Sequence, residues 1–441
     1  TPLVRERSRV QSPPTAPILR PCLRLLRVRR ICAVRVGGPH RGTGEPSWRS
    51  KAVGTFCIFQ VPPPFRTACC APWTARCWTI AGQKWQSLAW ACSARWGPYS
   101  APRVIFPSSG TGAWEAAIVN TLSVGDRVLM VETGQFATLW RDMAVRFGLV
   151  VDWIPGDWRH GVDATVIEAH LRGDTARAIK AVMVVHNETS TGVVNDIGAV
   201  RAAMDRADHG ALLMVDTISG AGSVRYEHDA WRVDVTIAGS QKGLMMAAGL
   251  GFNAVSAKAL AAGKTAGMAR SYWDWADMLG MNATGFFPYT PAVNLLFGLQ
   301  EALAMLAEET LPGVFARHDR LAAATRAAAA VWGLELQAVV PDQYSPVVTA
   351  LVMPAGHDAD ALRALILDRF DLSLGAGLAR VKGRVFRIGH VGHLNELMLL
   401  GALTGVEMGM QAAQVPHRAG GVQAAMATLA QVQPALRIAA E

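Results

Sequence analysis

Six short apolar runs, each closing on a knot of small or polar residues, most constrain what this chain can fold into. They are Val104-Ile-Phe106, Arg127-Val-Leu-Met-Val131, Leu149-Val-Val-Asp-Trp-Ile154, Ala181-Val-Met-Val-Val185, Ala211-Leu-Leu-Met-Val-Asp-Thr217 and Val233-Asp-Val-Thr-Ile-Ala238. Helical stretches fall between them, an Ala-rich one after Pro107 and others near Ala164–Leu171 and Ile197–Arg206. Strands that alternate with helices imply an α/β fold, with a mainly parallel sheet covered on both faces. Ligands of such sheets gather at the carboxyl ends of the strands, where the polar knots of this sequence lie.

Each knot offers a chemistry and a plain alternative. After Val104–Phe106 come Pro107-Ser-Ser-Gly-Thr-Gly-Ala-Trp. Small residues opening a helix leave free amides that suit a phosphate, although such turns are common. Glu132-Thr-Gly-Gln-Phe-Ala137 carries Phe136, either ordinary core or a flat face for a planar ring. His186-Asn-Glu-Thr-Ser-Thr-Gly192 is a polar loop rich in hydroxyls. Asp216 ends an apolar strand, where it either caps a turn or pairs with a cation such as a protonated pyridine nitrogen. Lys242, in Gly239-Ser-Gln-Lys242, is either an exposed lysine or one able to form a Schiff base with an aldehyde cofactor.

The chain has 441 residues, room for two domains or for one large domain with an appendage. Beyond residue 290 come Ala-rich helices at Asn294–Glu309 and Pro312–Val331. Strands at Pro346–Met353 and Val385–Ile388 then flank a helix at Asp358–Arg369. That texture suits a smaller α+β domain. Arg387, at the end of its strand, is a surface residue or a bidentate grip for a carboxylate. The expected division is 1–100 an aberrant basic segment, 101–290 a large domain, 291–415 a small domain and 416–441 a tail. No apolar run reaches the length of a membrane span, so the chain reads as soluble and cytoplasmic.

Charge and cysteine are concentrated at one end. All seven cysteines, sixteen Lys+Arg and only two acids (Glu6 and Glu45) lie in the first hundred residues, a net of +14. With a chain total of +9, residues 101–441 carry −5, and a nucleic-acid partner for the body is not indicated. The cysteines lack metal-site spacing. Residues 57–100 hold five tryptophans and many prolines without a helical or strand period.

Much of this segment has the character of an out-of-frame translation. Reading from the third base of each codon, Trp73-Thr74 and Trp78-Thr79 must each give Asp, and Cys69-Cys70 and Cys77-Trp78 must each give Leu. The string permitted over about residues 55–100 contains PGPTxVPDRVLRAM, DHRG and an amphipathic MAKLGLGVLGEM. We therefore expect a frameshift entered near residues 50–55 and left near 100.

Taken in order, SSGTGAWEAA, ETGQFATLW, HNETSTGV, VDTISGAG, GSQKGL, PYTPAVNLLFGL and VFRIGHVGHLNELMLLGALTGVEM make residues 101–415 resemble the class V aminotransferases, the serine–glyoxylate enzymes above all. The alternative-frame string resembles that family's N-terminal segment. The resemblance implies fold-type I architecture, a large domain with a mainly parallel sheet of the seven-stranded type, and pyridoxal 5'-phosphate as cofactor. It implies that Lys242 carries the cofactor and shuttles the substrate's Cα proton, that Asp216 pairs with the pyridine nitrogen and that Phe136 stacks on the ring. Thr111, Gly112, Ala113, Thr189 and Gln241 would surround the phosphate. Thr290 would reach the site of a neighbouring subunit, which implies a homodimer. Arg387 would bind the substrate carboxylate. A related enzyme has tyrosine where Phe287 stands, so that hydroxyl contact has no counterpart here. The implied reaction moves an amino group from serine, or alanine, to glyoxylate, giving glycine and hydroxypyruvate, or pyruvate.

Three other readings compete. A cysteine desulfurase needs a late nucleophilic cysteine, and none follows Cys92. A DNA-binding regulator needs a helix-turn-helix in the first hundred residues, which their prolines and missing period oppose. The third is a chain inactive as written, because its N-terminal segment is scrambled.

Overall fold

A computed structural model describes residues 102–431 and the backbone of the two-residue strand Phe56–Cys57 (β1). All of these fall in one unit, Val53–Glu441. The expectations for the frame of residues 1–100, and the end of the tail, lie outside the described residues.

The main sheet has seven strands, as the α/β reading requires. They are β2 (Arg103–Ser108), β3 (Arg127–Val131), β4 (Val150–Ile154), β5 (Ile179–Val185), β8 (Leu212–Asp216), β9 (Val235–Gly239) and β10 (Gly249–Val255), in the spatial order β2-β10-β9-β8-β5-β3-β4. The pairs β9–β8, β8–β5, β5–β3 and β3–β4 are parallel; β10 is antiparallel to both of its neighbours.

Apolar runs here reflect burial on two faces. Along β3, Val128 and Met130 join one core while Leu129 and Val131 join the other. Met183 and Met214 face the first core, with helices α1 (Gly110–Thr121) and α2 (Gln135–Arg146). Val182, Val184 and Leu213 face α3 (Ala164–Gly173) and α4 (Ile197–Arg206) in the second. Alternation along a strand sends successive side chains to opposite faces, so a doubly covered strand has no polar position to spare. Asp163 and Asp196 cap α3 and α4 by accepting the Thr165 and Ala199 amides.

Strand β10 escaped the sequence reading because glycines interrupt its apolar pattern. Gly251 is there for space: a Cβ would lie 2.7 Å from Ser109 O and 3.2 Å from Ala113 Cβ. The strand is thus pressed against the start of α1. Between β5 and α4 the polar loop makes a small hairpin, β6 (Asn187–Glu188) with β7 (Val193–Val194). After β10 come α5 (Ala257–Ala262) and α6 (Trp275–Ala283), neither of them expected.

Helices α7 (Val293–Glu309) and α8 (Leu311–Trp332) lie within a residue or two of the expected bounds. Thr310 caps α8 through the Gly313 amide, and Gly333, at φ +78°, ends it. A separate core forms where α8, α9 (Ala359–Phe370) and α10 (Glu396–Ala412) pack on a three-stranded antiparallel sheet. That sheet has the order β11 (Val348–Val352), β14 (Val385–Gly389), β13 (Gly375–Ala376). Between α9 and β13, β12 (Leu372–Ser373) pairs in parallel with β1. The tail contributes a helix, α11 (Gly421–Leu429), seated against Trp332.

One buried amide fixes α1 against the sheet. Asn253 on β10 donates to Ala113 O (3.1 Å) and accepts from Trp275 Nε1 (3.3 Å). Replacing Asn253 with leucine leaves the Trp275 indole buried and unpaired and takes from the Ala113 carbonyl the donor it has besides the helix, and we expect a loss of about 2 kcal/mol. Urea unfolding of N253L against the unaltered chain measures it.

Candidate active site

The carboxyl ends of β3, β5, β8 and β9 point to one edge of the sheet, and the knots named from the sequence lie along it. Asp216 is the last residue of β8 and is buried, with Oδ1 accepting the Ile218 amide at 2.7 Å. Burial pushes its carboxyl up to about 7; the Ile218 amide and the Trp114 indole oppose this, and the charge of Glu188 adds to it. A buried carboxylate in this state gains from any cation placed opposite it.

Lys242 sits in the turn after β9. Ser240 braces that turn, its hydroxyl donating to Ala247 O (2.8 Å) and accepting the Leu250 amide (3.2 Å). Met245, at φ +57°, donates its amide to Lys242 O at 2.9 Å. Burial, and then the charge of Arg387, push the Lys242 amine below its ordinary range. A larger share is therefore present as the free, nucleophilic amine.

Arg387 lies in the middle of β14, not at its end, paired with Ala350 on one side and Gly375 on the other. Its Nη1 donates to Thr189 O (2.7 Å) and its Nε to Ala376 O (2.8 Å). The C-terminal sheet thereby carries its guanidinium to the β6–β7 loop. Burial pushes Arg387 downward, against the charge of Glu188.

Phe136 is the second residue of α2 and half-buried. Thr189 is also half-buried. At the start of α1 the Ser109 side chain makes no capping bond, and the first intrahelical bond runs from the Ala113 amide to Ser109 O (3.3 Å). The amides of Gly110, Thr111 and Gly112 precede it and are the ones open to an anion, whereas that of Ala113 is engaged. Gly112 has no room for a side chain, because a Cβ would run into Ser108 Oγ and the Trp273 ring. Gln241 approaches the same place: a Cβ on Gly239 would lie 3.1 Å from Gln241 Oε1 and 3.5 Å from the Gly110 nitrogen.

Structure thus brings together Lys242, Asp216, Phe136, Thr189, Gln241, Arg387 and the open end of α1. Thr290 stands apart, exposed on the segment before α7. Sequence reasoning missed Glu188, fully buried beside Phe136, and Ser190, which donates to it. Their only signal was membership of the loop His186–Gly192. A separate cavity of about 140 Å³, lined among others by Tyr226, His228, Leu306 and Phe315, shares none of these groups. Among the described residues no cluster of His, Cys, Asp and Glu could hold a metal, and no helix is long and apolar enough to cross a membrane.

Residues 96–383 match the family described as aminotransferase class-V, and the chain belongs to that family. It is 53% identical over 311 residues to the serine–glyoxylate aminotransferase of Methylorubrum extorquens, covering 69% of this chain and 77% of that one. It is 45% identical over 322 residues to the L-aspartate–glyoxylate aminotransferase of Paracoccus denitrificans, covering 73% and 81%. The crystal structure of pyridoxamine–pyruvate aminotransferase from Mesorhizobium loti superposes with a TM-score of 0.76 at 26% identity, covering 84% and 94%. The fold is that of fold-type I aminotransferases, the protein is an aminotransferase, and enzymes of this class depend on pyridoxal 5'-phosphate.

The residues present fit that cofactor. An uncapped helix end suits its phosphate and a buried carboxylate its cationic ring nitrogen, while a depressed lysine suits its aldehyde. Gln241 Oε1 and Thr133 Oγ1 are buried without a hydrogen-bond partner among the described residues, as in a site built for a guest.

Asp216 has a consequence for stability. Between its ordinary value of 3.8 and about 7, the folded cofactor-free chain holds a proton that the unfolded chain has released. Stability from this group therefore falls as pH climbs through that window. Relative to the unaltered chain, cofactor-free D216N should gain stability from pH 4 to pH 7; paired denaturant titrations across that range check the sign.

Proposed function

We propose that this chain transfers an amino group from serine, or another small amino acid, to glyoxylate, in two half-reactions that share one site. The observation that carries the reading is the meeting of Lys242 with Arg387 at the sheet edge that Asp216 occupies, in a chain about half identical to a serine–glyoxylate enzyme.

Pyridoxal 5'-phosphate, when bound, supplies an aldehyde carbon that condenses with amines and a ring that takes up the electron pair left at Cα. Asp216 would face the ring nitrogen and keep it protonated, and Phe136 would pack on the ring. The amides at the start of α1, with Thr111, Gly112, Thr189 and the amide group of Gln241, hold the phosphate. Ala113 backs them from the core. Arg387 has spent one N–H on Ala376 O and one on Thr189 O, which leaves one on Nη1 and both on Nη2. Those three suit a substrate carboxylate, and gripping it sets the substrate's Cα hydrogen before Lys242.

Lys242, its amine depressed by burial, takes that proton and returns it one carbon away. Water then supplies the carbonyl oxygen and the donor leaves as its keto acid, hydroxypyruvate from serine or pyruvate from alanine, while its nitrogen stays behind at the site for the acceptor. Glyoxylate accepts the amino group by the reverse course and leaves as glycine. Exposed Thr290 is assigned to the phosphate site of a second copy in a homodimer. Alanine–glyoxylate or broader specificity is the second reading for the same site, favoured by the aspartate-using relative.

Glycine formation from glyoxylate, with serine, alanine and aspartate offered in turn, tests the reading; no glycine from any donor sinks it. Lys242→Ala should lower turnover by at least about a hundredfold. Arg387→Ala should act mainly on KM for the donor, because its grip is made in the ground state.

The frameshift leads to a second comparison. A version re-read over about residues 52–100 should bind cofactor more tightly and transaminate faster than the chain as written. Equal activity of the two refutes the impairment, and DNA that keeps the frame as written there refutes the frameshift.

A further inference from the structure

Glu188 has no role so far, yet it is the most enclosed charged group of the site, with no exposed surface. Four donors converge on its carboxylate. Oε1 accepts from Ser190 Oγ (2.6 Å), the Ser190 amide (3.0 Å) and the Phe136 amide (3.4 Å), and Oε2 accepts from the Ala137 amide (3.1 Å). Helix α2 begins at Gly134 without a side-chain cap of its own. Its first amides are satisfied by a residue from the β6–β7 hairpin, more than fifty positions along the chain. Ser190 Oγ also accepts the Gln135 amide at 2.9 Å, and a Cβ on Gly134 would lie 2.5 Å from Glu188 Cγ. The start of α2, and with it Phe136, is seated on this carboxylate.

A carboxylate at a helix N-terminus is favoured by the aligned peptide dipoles, and charge-assisted bonds are the stronger kind. Two charged groups of the site lie near it: Arg387 Nη1 donates to the carbonyl of Thr189, the next residue, and Asp216 pairs across β8 and β5 with Val185, three residues earlier; the charge of Glu188 pushes Asp216 up and opposes the lowering of Arg387.

We propose that Glu188 is a positioning residue: it seats Phe136 by holding the start of α2, and its negative charge sets the charge balance of Asp216 and Arg387. The proposal rests on reading Phe136, Asp216 and Arg387 as contacts for cofactor and substrate. A single group in this way couples the face of the ring to its nitrogen and to the substrate's carboxylate.

Glu188→Gln and Glu188→Asp separate charge from reach. Glutamine keeps the length but removes the charge and sets an N–H₂ against amide donors. Aspartate keeps the charge but is one carbon short. In the full chain without cofactor, the Asp216 titration is followed by carbon-13 NMR of labelled aspartate, assigned with D216N. Hydrogen exchange is read over residues 134–138. Removing a negative charge near Asp216 favours its ionised form, so E188Q should titrate below the unaltered chain, whereas E188D should stay near it. Both variants should exchange faster over residues 134–138. Both should bind pyridoxal 5'-phosphate roughly tenfold more weakly, the equivalent of one charge-assisted hydrogen bond.

An Asp216 titration in E188Q that matches the unaltered chain overturns the proposal, and so does unchanged exchange in the variants. Should E188Q fail to fold, exchange in E188D decides: faster supports the proposal, unchanged overturns it. Failure of the unaltered chain to bind pyridoxal 5'-phosphate strikes the functional reading instead, and both cofactor-free readouts remain measurable.

Discussion

Burial of charge at the carboxyl edge of a parallel sheet is the constraint on which the rest of the site depends. Strand β8 is apolar because both its faces are covered, and Asp216 follows with no change of surroundings. The same enclosure reaches its neighbours. Carboxyls at Asp216 and Glu188 are pushed up, the Lys242 amine and Arg387 guanidinium are pushed down, and His186 falls to about 4. Every group is displaced toward its neutral form, the mark of a place from which water has been excluded. Such clusters arise where chemistry needs groups poised between charge states.

Geometry comes from two sheets joined by hydrogen bonds and by two small apolar clusters, one of Trp158 with Ala350, Val381 and Val385, the other of Val224 with Val347 and Val391. The large sheet supplies Asp216, Lys242 and the start of α1; the antiparallel sheet supplies Arg387. Its guanidinium reaches the carbonyl of Thr189, and Arg380 from the same part of the chain pairs with Glu132 at the end of β3. Arg317 braces the following loop through the carbonyls of Gly392 and Leu394, and a Cβ on Gly392 would lie 3.5 Å from Lys242 O. Arg387 is thus held by directional bonds, so its placement relative to Lys242 is set before a substrate arrives, which is what proximity catalysis requires.

Much of this was legible in the sequence, for a physical reason. Doubly buried strands leave uninterrupted apolar runs, and the polar residue that ends one, such as Asp216 or the knot holding Lys242, stands out. Strand β10 was not legible, because Gly251 serves close approach to α1 and Gly249 lies against Leu295 of α7, and both break its pattern. Helix α2 hid because its cap is donated from another element. Glu188 was passed over within the very loop whose motif was noticed, since a glutamate among hydroxyl residues reads as solvated until the fold closes over it. Arg387 was read as ending its strand because burial on one side of β14 could not be seen from residue order. Ala113 was grouped with the phosphate contacts, although helix geometry already claims its amide.

These displaced charges have one economical resolution. Among the described residues Asp216 makes no ion pair and the first amides of α1 meet no acceptor, while burial favours the neutral form of Lys242. An anionic phosphate, a protonated ring nitrogen and an aldehyde answer all three, and pyridoxal 5'-phosphate carries them on one rigid frame. A cation opposite Asp216 would return it to the charged form that burial disfavours, and a guest that binds only the folded chain couples its binding free energy to folding. On the proposed assignment the cofactor would help to stabilise the edge of the sheet. The fixed carboxylate of Glu188 has the opposite character. Four donors already meet it, so its place in the fold does not depend on a guest.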